Sequence, residues 1–263
     1  MPEIRSRKAL VNPEMRRRGI YILPNLFTTA ALFAGFYAIV QAMTGRFEHA
    51  AVAIFIAMIL DGLDGRVARL TRTQSAFGAE YDSLSDMVSF GVAPALVMFE
   101  WAMKGMGKWG WIAAFIYCVG AALRLARFNT NIEVVDKRFF QGLPSPAAAA
   151  LIAGFVWVLM DLNYTGEEVR WYAWALTIFS GVTMVSNFRY YSGKDINLRR
   201  SVPFIAVLAI VLFFVLVSSY PPGILFALFL CYAFSGYIMA AWHWLRRRKL
   251  RFDPACVQAG FWI

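Results

Sequence analysis

Four aspartates between residues 61 and 86 are spaced as two pairs, Asp61 with Asp64 and Asp82 with Asp86. Helical residues three or four apart lie on one face, so each pair would present two carboxylates together. Crowded carboxylates repel unless cations neutralise them or some take up protons. Ligands that are all oxygen, without His or Cys, are typical of sites for Mg²⁺, Mn²⁺ or Ca²⁺. Two such ions about 4 Å apart can clamp a phosphoryl group.

The residues between the pairs add to this interpretation. Gly65 and Gly78 would let a ligand approach the backbone closely. Arg69 follows Gly65 by one helical turn, where its guanidinium could bind a phosphate. Together these residues predict a diphosphate site. The plainer alternative is that the aspartates are solvated loop acids or helix caps.

The rest of the chain is strongly apolar, with 60% hydrophobic and 16% charged residues, against about 25% charged in soluble domains. This composition predicts an all-α, polytopic integral membrane protein with about eight transmembrane helices. Apolar stretches long enough to cross a bilayer lie near residues 20–43, 48–66, 84–103, 109–127, 143–162, 170–187, 202–219 and 222–244. Asp82 and Asp86 would then lie near the start of the third helix, where the helix dipole favours anions.

The distribution of basic residues predicts the orientation. With eight spans, all of the 26 Lys and Arg except Arg46, Lys104, Lys108 and Arg170 fall on one side, with both termini. Because cytoplasmic loops are enriched in Lys and Arg, both termini and the aspartates are predicted to be cytoplasmic. The basic residues do not cluster on a soluble domain, so the net charge of +10 does not indicate nucleic-acid binding.

The spacing D-x2-D-G-x2-A-R-x8-G-x3-D-x3-D from residue 61 to 86 resembles the signature of the CDP-alcohol phosphotransferase family. Three further segments, residues 23–39, 122–130 and 139–150, are similar to the bacterial integral-membrane phosphatidylserine synthases of that family. The likeness covers about residues 20–200. It implies a six-helix catalytic core at 20–200, preceded by a basic cytoplasmic arm at 1–19. Two additional helices at 201–245 and a basic cytoplasmic tail at 246–263 would follow. The family also usually forms homodimers.

The resemblance implies transfer of the phosphatidyl group from CDP-diacylglycerol to L-serine, with release of CMP, at the cytoplasmic face of the cell membrane. Asp61, Asp64 and Asp82 would bind one divalent ion, Mg²⁺ or Mn²⁺, with Ca²⁺ as a further occupant. Asp61, Asp82 and Asp86 would bind the second ion. Asp86 would also act as the general base. The nucleotide contacts of the family correspond to Gly65, Arg69, Ser75 and Gly78.

Recognition of serine requires cations for its carboxylate and an acid or carbonyl for its ammonium. The acceptor-binding candidates are Asn25, Arg124, Arg127, Asn129, Arg138 and Arg189. The alternative for the arginines is positive-inside anchoring of helix ends, and for Asn25 a helix cap. The segment Gly142–Pro146 is either a turn that shapes the substrate site or the start of a helix.

Two other functions are compatible with parts of the pattern. The signature does not separate serine from glycerol 3-phosphate, inositol phosphate or choline as the acceptor. Acidic residues near helix ends could also line the path of a divalent-cation transporter. Against a transporter, the four aspartates lie at one predicted boundary, and the spans do not carry acids at mid-depth on several helices.

Overall fold

The structure is a computed structural model and describes residues 13–71, 75–130, 139–191 and 204–251. Within these ranges the chain forms eight helical segments, each matching one predicted apolar stretch, so the helical fold class is confirmed. The predicted basic arm and tail lie partly outside the described residues. The helices are α1 Pro13–Met43, α2 Phe47–Thr71, α3 Ala76–Met106, α4 Lys108–Thr130, α5 Ser145–Asp161, α6 Arg170–Val185, α7 Phe204–Ser219 and α8 Pro221–Arg251.

Four stretches of these helices are long and apolar enough to cross a membrane, namely Pro24–Met43, Ala76–Met106, Lys108–Thr130 and Pro221–Trp242. Helix α5 is apolar but shorter. Helix α2 carries acids and arginines in its second half, which places charge where a span would otherwise continue. The helices therefore support a membrane protein, while the count of eight spans and the cytoplasmic termini stay predictions.

Helix α3 begins at Ala76 and is not uniform along its length. Ser75 caps it, because the Gly78 amide donates a hydrogen bond to the Ser75 hydroxyl at 3.0 Å. Two π-helical segments, Met87–Val92 and Phe99–Met103, interrupt the α-helix. The early start corrects one expectation. The helix dipole acts on charges within the first turn. Asp82 and Asp86 lie beyond that turn, so the helix N-terminus does not stabilise them.

Helices α1 and α3 cross in close contact. The Ser85 hydroxyl donates to the Thr28 carbonyl, and the Ser89 hydroxyl donates to the Ala31 carbonyl, both at 3.1 Å. At Gly35 an added Cβ would lie 2.7 Å from the Ser89 Cα. Small residues and interhelical hydrogen bonds commonly join helices in membranes, where lipid is as apolar as a side chain. This crossing holds the aspartates of α3 beside α1.

The other helices close the bundle around α3. The buried Tyr117 of α4 donates from its hydroxyl to the Phe90 carbonyl, in the first π-helical segment, at 3.1 Å. An added Cβ at Gly181 of α6 would lie 2.9 Å from the Tyr117 Cα. Helix α8 packs on α5, with the Phe155 and Phe226 rings 5.7 Å apart.

A short strand pair, which the sequence did not predict, precedes α5. Strand β1, Phe139–Gln141, is antiparallel to β2, Arg189–Tyr191. Gly142 follows with a φ of 77°, a conformation that glycine adopts without strain. Its amide donates to the Phe188 carbonyl at 2.9 Å. Helix α5 then begins at Ser145 with a proline in its first turn, so the segment Gly142–Pro146 is at least a helix start.

We expect Gly35→Ala to lower the thermal unfolding midpoint of the purified protein, because the added Cβ would meet the α3 backbone. Overpacking costs about 1–3 kcal/mol. The control is Gly105→Ala, where an added Cβ meets no described residue within 4 Å. It should keep or raise the midpoint, since alanine favours helix by up to about 1 kcal/mol. Equal midpoints for the two variants would contradict the close crossing of α1 and α3.

Candidate active site

The four aspartates of the signature come together between α2 and α3. One carboxylate oxygen from each of Asp61, Asp64 and Asp82 lies within 4.8 Å of the other two. Asp86 faces Asp61 at close range, and Asp82 faces Asp64. The helical spacing thus produces two carboxylate pairs that meet across the two helices.

These residues fit a divalent cation. Asp64 is only 5% exposed, and the Oδ1 atom of Asp82 is buried without a hydrogen-bond partner among the described residues. A buried carboxylate oxygen without a partner is costly, and a cation would remove that cost. Because the cluster offers only carboxylate oxygens, it suits hard cations such as Mg²⁺, Mn²⁺ and Ca²⁺.

Helix α1 holds one of these carboxylates in place. The buried Thr28 hydroxyl donates to Asp64 Oδ2 at 2.8 Å and lies 3.2 Å from the Pro24 carbonyl. Such a contact fixes the orientation of a carboxylate that would bind a metal. Thr28 was not among the site residues predicted from the sequence. The feature that could have identified Thr28 in the sequence is a polar residue on the apolar face of a predicted span.

A pocket of about 330 Å³ lies beside the Asp64 and Asp82 pair, and α1, α2 and α3 form its walls. Within the part of the chain that the structure describes, an added Cβ at Gly65 would meet only the Arg69 guanidinium, at 4.0 Å. The Arg69 side chain lies along α2 and donates from Nε to the Gly65 carbonyl at 2.8 Å. The pocket is lined by Pro24, Asn25, Thr28, Asp64, Gly65, Ala68, Arg69, Ser75, Gly78, Ala79 and Asp82. All four predicted nucleotide-binding residues therefore line one pocket.

Asn25 belongs to this pocket and not to the neighbourhood of Arg124. An added Cβ at Gly78 would lie 3.5 Å from Asn25 Oδ1 and 3.1 Å from the Ser75 hydroxyl. Asn25 also lies well inside α1, so it is not the helix cap that was the plain alternative. Its position favours contact with the nucleotide side of the site.

Arg124 lies near the other two carboxylates and is not among the residues that line the pocket. Its guanidinium is close enough to Asp86 and Asp61 to attract both electrostatically. It also donates a hydrogen bond to the Ser145 hydroxyl at the start of α5. Arg124 is therefore a partly buried cation beside Asp61 and Asp86, the two aspartates that do not line the pocket.

The other acceptor candidates have different partners. Arg127 donates to the Val185 carbonyl and to Asn187 Oδ1, both at 3.1 Å, which ties α4 to the end of α6. Asn129 donates to the Ser83 hydroxyl at 3.0 Å, which ties the end of α4 to α3 at the residue after Asp82. Arg138 lies outside the described residues. The backbone of Arg189 pairs with Gln141, and its side chain is not among those described.

The sequence comparisons agree with the geometry. The family described as CDP-alcohol phosphatidyltransferase matches residues 21–182. A Helicobacter pylori protein named CDP-diacylglycerol–serine O-phosphatidyltransferase is 40% identical over 181 residues, which cover 68% of this chain and 75% of the relative. Proteins of the same name are similar over shorter shares. That of Mycobacterium tuberculosis is 38% identical over 183 residues, 64% of this chain and 63% of the relative. That of Methanocaldococcus jannaschii is 41% identical over 137 residues, which cover 52% of this chain and 61% of the relative.

The family match spans the aspartate signature, the pocket and Arg124 but ends before α7 and α8. It confirms the resemblance that the spacing of the aspartates and glycines indicated. By its aspartate cluster and by these similarities, the chain belongs to the CDP-alcohol phosphatidyltransferase family.

Proposed function

We propose that the chain transfers the phosphatidyl group from CDP-diacylglycerol to L-serine and so forms phosphatidylserine and CMP. The observation that carries this proposal is the four-aspartate cluster, of which two members line the glycine-lined pocket and two lie near Arg124. The names of the similar proteins support serine as the acceptor.

Two divalent cations, Mg²⁺ or Mn²⁺, are proposed as the cofactors. Asp61, Asp64 and Asp82 would hold one ion, and Asp61, Asp82 and Asp86 the other. The close approach of the first three carboxylates and the unpartnered Asp82 oxygen support the first ion, and the second ion follows from the family resemblance. When bound, the ions would neutralise the diphosphate and the departing CMP.

The pocket beside Asp64 and Asp82 is the proposed site for the CDP part of the lipid. Gly65 and Gly78 leave room for the diphosphate next to the backbone. Arg69 lies beside Gly65 and can exchange its bond to the Gly65 carbonyl for a phosphate oxygen, which it would bind as a charge-assisted pair. Ser75 and Asn25 offer polar groups at the α3 and α1 walls.

Serine is proposed to enter from the side of Asp61 and Asp86. Asp86 takes the proton of the serine hydroxyl, because the neutral hydroxyl is a weak nucleophile. The serine oxygen forms a bond to the phosphorus next to the diacylglycerol, and the bond from that phosphorus to the CMP oxygen breaks. Arg124 binds the serine carboxylate. The position of Arg124 beside Asp86 supports the placement of the serine carboxylate at Arg124 and of the serine hydroxyl at Asp86.

The membrane arrangement completes the proposal. The aspartates face the cytoplasm, where serine is available and CMP is released, and both termini lie on the same side. The catalytic core is the six-helix region within residues 20–200, in an eight-span protein of the cell membrane that forms a homodimer. The four long apolar helices and the asymmetry of the basic residues support the membrane location and the orientation.

Purified protein in detergent with CDP-diacylglycerol and Mn²⁺ should release CMP only when L-serine is added, and chelation should stop the release. Thin-layer chromatography with labelled serine would identify the lipid product. Glycerol 3-phosphate, inositol phosphate and choline serve as comparison acceptors. Release of CMP without serine, or equal use of glycerol 3-phosphate, would reject serine as the acceptor.

Asp86→Asn and Asp61→Asn should fail in different ways. The first removes the general base, so turnover should fall by about 10²–10⁴-fold while CDP-diacylglycerol still binds. The second removes a ligand shared by both proposed ions, so metal and nucleotide binding should be lost together. Titration calorimetry and CMP release measure the two properties. Near-normal turnover of Asp86→Asn would exclude its role as the base.

Thr28→Val should weaken Mn²⁺ binding by about 10–100-fold, because Asp64 loses the hydroxyl that orients it. Electron paramagnetic resonance titration of free Mn²⁺ measures this affinity without reference to turnover. Thr44→Val is the matched control, since among the described residues the Thr44 hydroxyl donates to the Gln41 carbonyl, at 2.9 Å, in the turn after α1. The same Mn²⁺ affinity in both variants would argue against Asp64 as a metal ligand.

A further inference from the structure

We propose that Tyr117 of α4 is a positioning residue for the reaction, whose hydroxyl holds the first π-helical segment of α3 in the register that orients Asp86. This inference rests on the proposed function, because it takes Asp86 as the general base. Tyr117 acts through the backbone of α3, which runs from Asp86 directly into the π-helical segment Met87–Val92.

Pro94 gives a physical reason for the change of helix type just after Asp86. In a regular α-helix the amide of residue 94 would donate to the Phe90 carbonyl, but proline has no amide hydrogen and its ring crowds that carbonyl. The helix is wider here, and the Ala93 amide donates to the Val88 carbonyl, five residues back. Such π-helical turns are rare and are frequently found at functional sites.

The Tyr117 hydroxyl supplies a donor for the Phe90 carbonyl, at 3.1 Å, and both residues are fully buried. A buried carbonyl without a donor is costly, so this hydrogen bond stabilises the π-helical register. Close packing adds to it, because an added Cβ at Gly91 would lie 3.2 Å from the Ala121 Cβ of α4. The π-helical segment is therefore held against α4 by a directional bond and by contact.

The parts of α3 on either side of this segment are fixed by other contacts. Before it, the Ser85 hydroxyl donates to the Thr28 carbonyl of α1. After it, an added Cβ at Gly110 of α4 would clash with the Met103 carbonyl. A π-helical turn holds about one residue more than an α-helical turn, so rewinding it would rotate Asp86 by about 100° relative to the later part of α3. The register of the segment thus decides where the Asp86 carboxylate points.

The same register aligns α3 with α4. Asn129 donates to the Ser83 hydroxyl at 3.0 Å at one end of the contact, and the Tyr117 hydrogen bond lies at the other end. The two helices therefore run antiparallel, with Asp86 and Arg124 both between these contacts. Tyr117 and Arg124 are about two helical turns apart and so lie on one face of α4. Holding the π-helical segment at Tyr117 keeps the proposed base level with the cation that is proposed to bind serine.

The test compares Tyr117→Phe with Tyr190→Phe in full-length protein. Tyr190 is the matched control, since its buried hydroxyl also donates to a helix carbonyl, that of Ala233 in α8, at 2.8 Å. Both variants should lower the thermal unfolding midpoint by similar amounts, and Tyr190→Phe should keep the wild-type kcat. Tyr117→Phe should lower kcat for serine-dependent CMP release by about 10–100-fold, because misplacing a reacting group by about 1 Å has costs of that order. Its affinity for CDP-diacylglycerol should stay within about twofold, since the lost interaction acts in the transition state.

Pro94→Ala tests the register without changing Tyr117. The new amide hydrogen can donate to the Phe90 carbonyl and favour α-helical winding. The variant should keep or raise the unfolding midpoint, since proline disfavours a helix interior. It should nevertheless lower kcat, because Asp86 would be rotated away from the other aspartates. We thus expect a protein that is at least as stable as the wild type but less active.

Wild-type kcat in Pro94→Ala, or equal kcat in Tyr117→Phe and Tyr190→Phe, would overturn the inference. Loss of CDP-diacylglycerol binding in Tyr117→Phe would also overturn it, since the effect would then not be confined to the base. Should Tyr117→Phe not fold, the kcat of Pro94→Ala decides the question. Wild-type protein without serine-dependent CMP release would instead overturn the proposed function.

Discussion

The arrangement of the molecule depends on bringing four carboxylates together at the end of an apolar helix bundle. Like charges at this distance repel, and burial raises the cost of each charge. Asp64 is almost fully buried, and one oxygen of Asp82 has no hydrogen-bond partner among the described residues. Thr28, Arg124 and the cations that the cluster is suited to bind would offset this cost. The helices around the cluster serve to hold these compensating groups in place.

Close helix crossings supply that rigidity. In a membrane the hydrophobic effect does not drive one helix against another, so packing and hydrogen bonds must do so. Gly35 lets α1 approach α3 directly, and Ser85 and Ser89 join the two backbones. Tyr117 then ties α4 to the π-helical segment that follows Asp86. As a result, the elements that carry the aspartates, Thr28 and Arg124 are held together by short, directional contacts.

The carboxylate cluster also divides the site into two sides. Asp64 and Asp82 line the glycine-rich pocket, whereas Asp61 and Asp86 face Arg124. In phosphoryl transfer the attacking and leaving oxygens lie roughly in line across the phosphorus. In the proposed reaction, a donor pocket beside one carboxylate pair and a cation beside the other would suit that geometry.

The sequence determined the features that depend on local repeats: the helical class, the paired aspartates on single faces, and the glycines and Arg69 beside them. The helical repeat fixes these relations within one element. It could not fix which elements meet, because that depends on crossing angles and helix direction. Only the tertiary structure decided that Arg124 and Arg127, neighbours on α4, contact different helices, and that Asn25 joins the nucleotide pocket. It also decided that Thr28 holds Asp64.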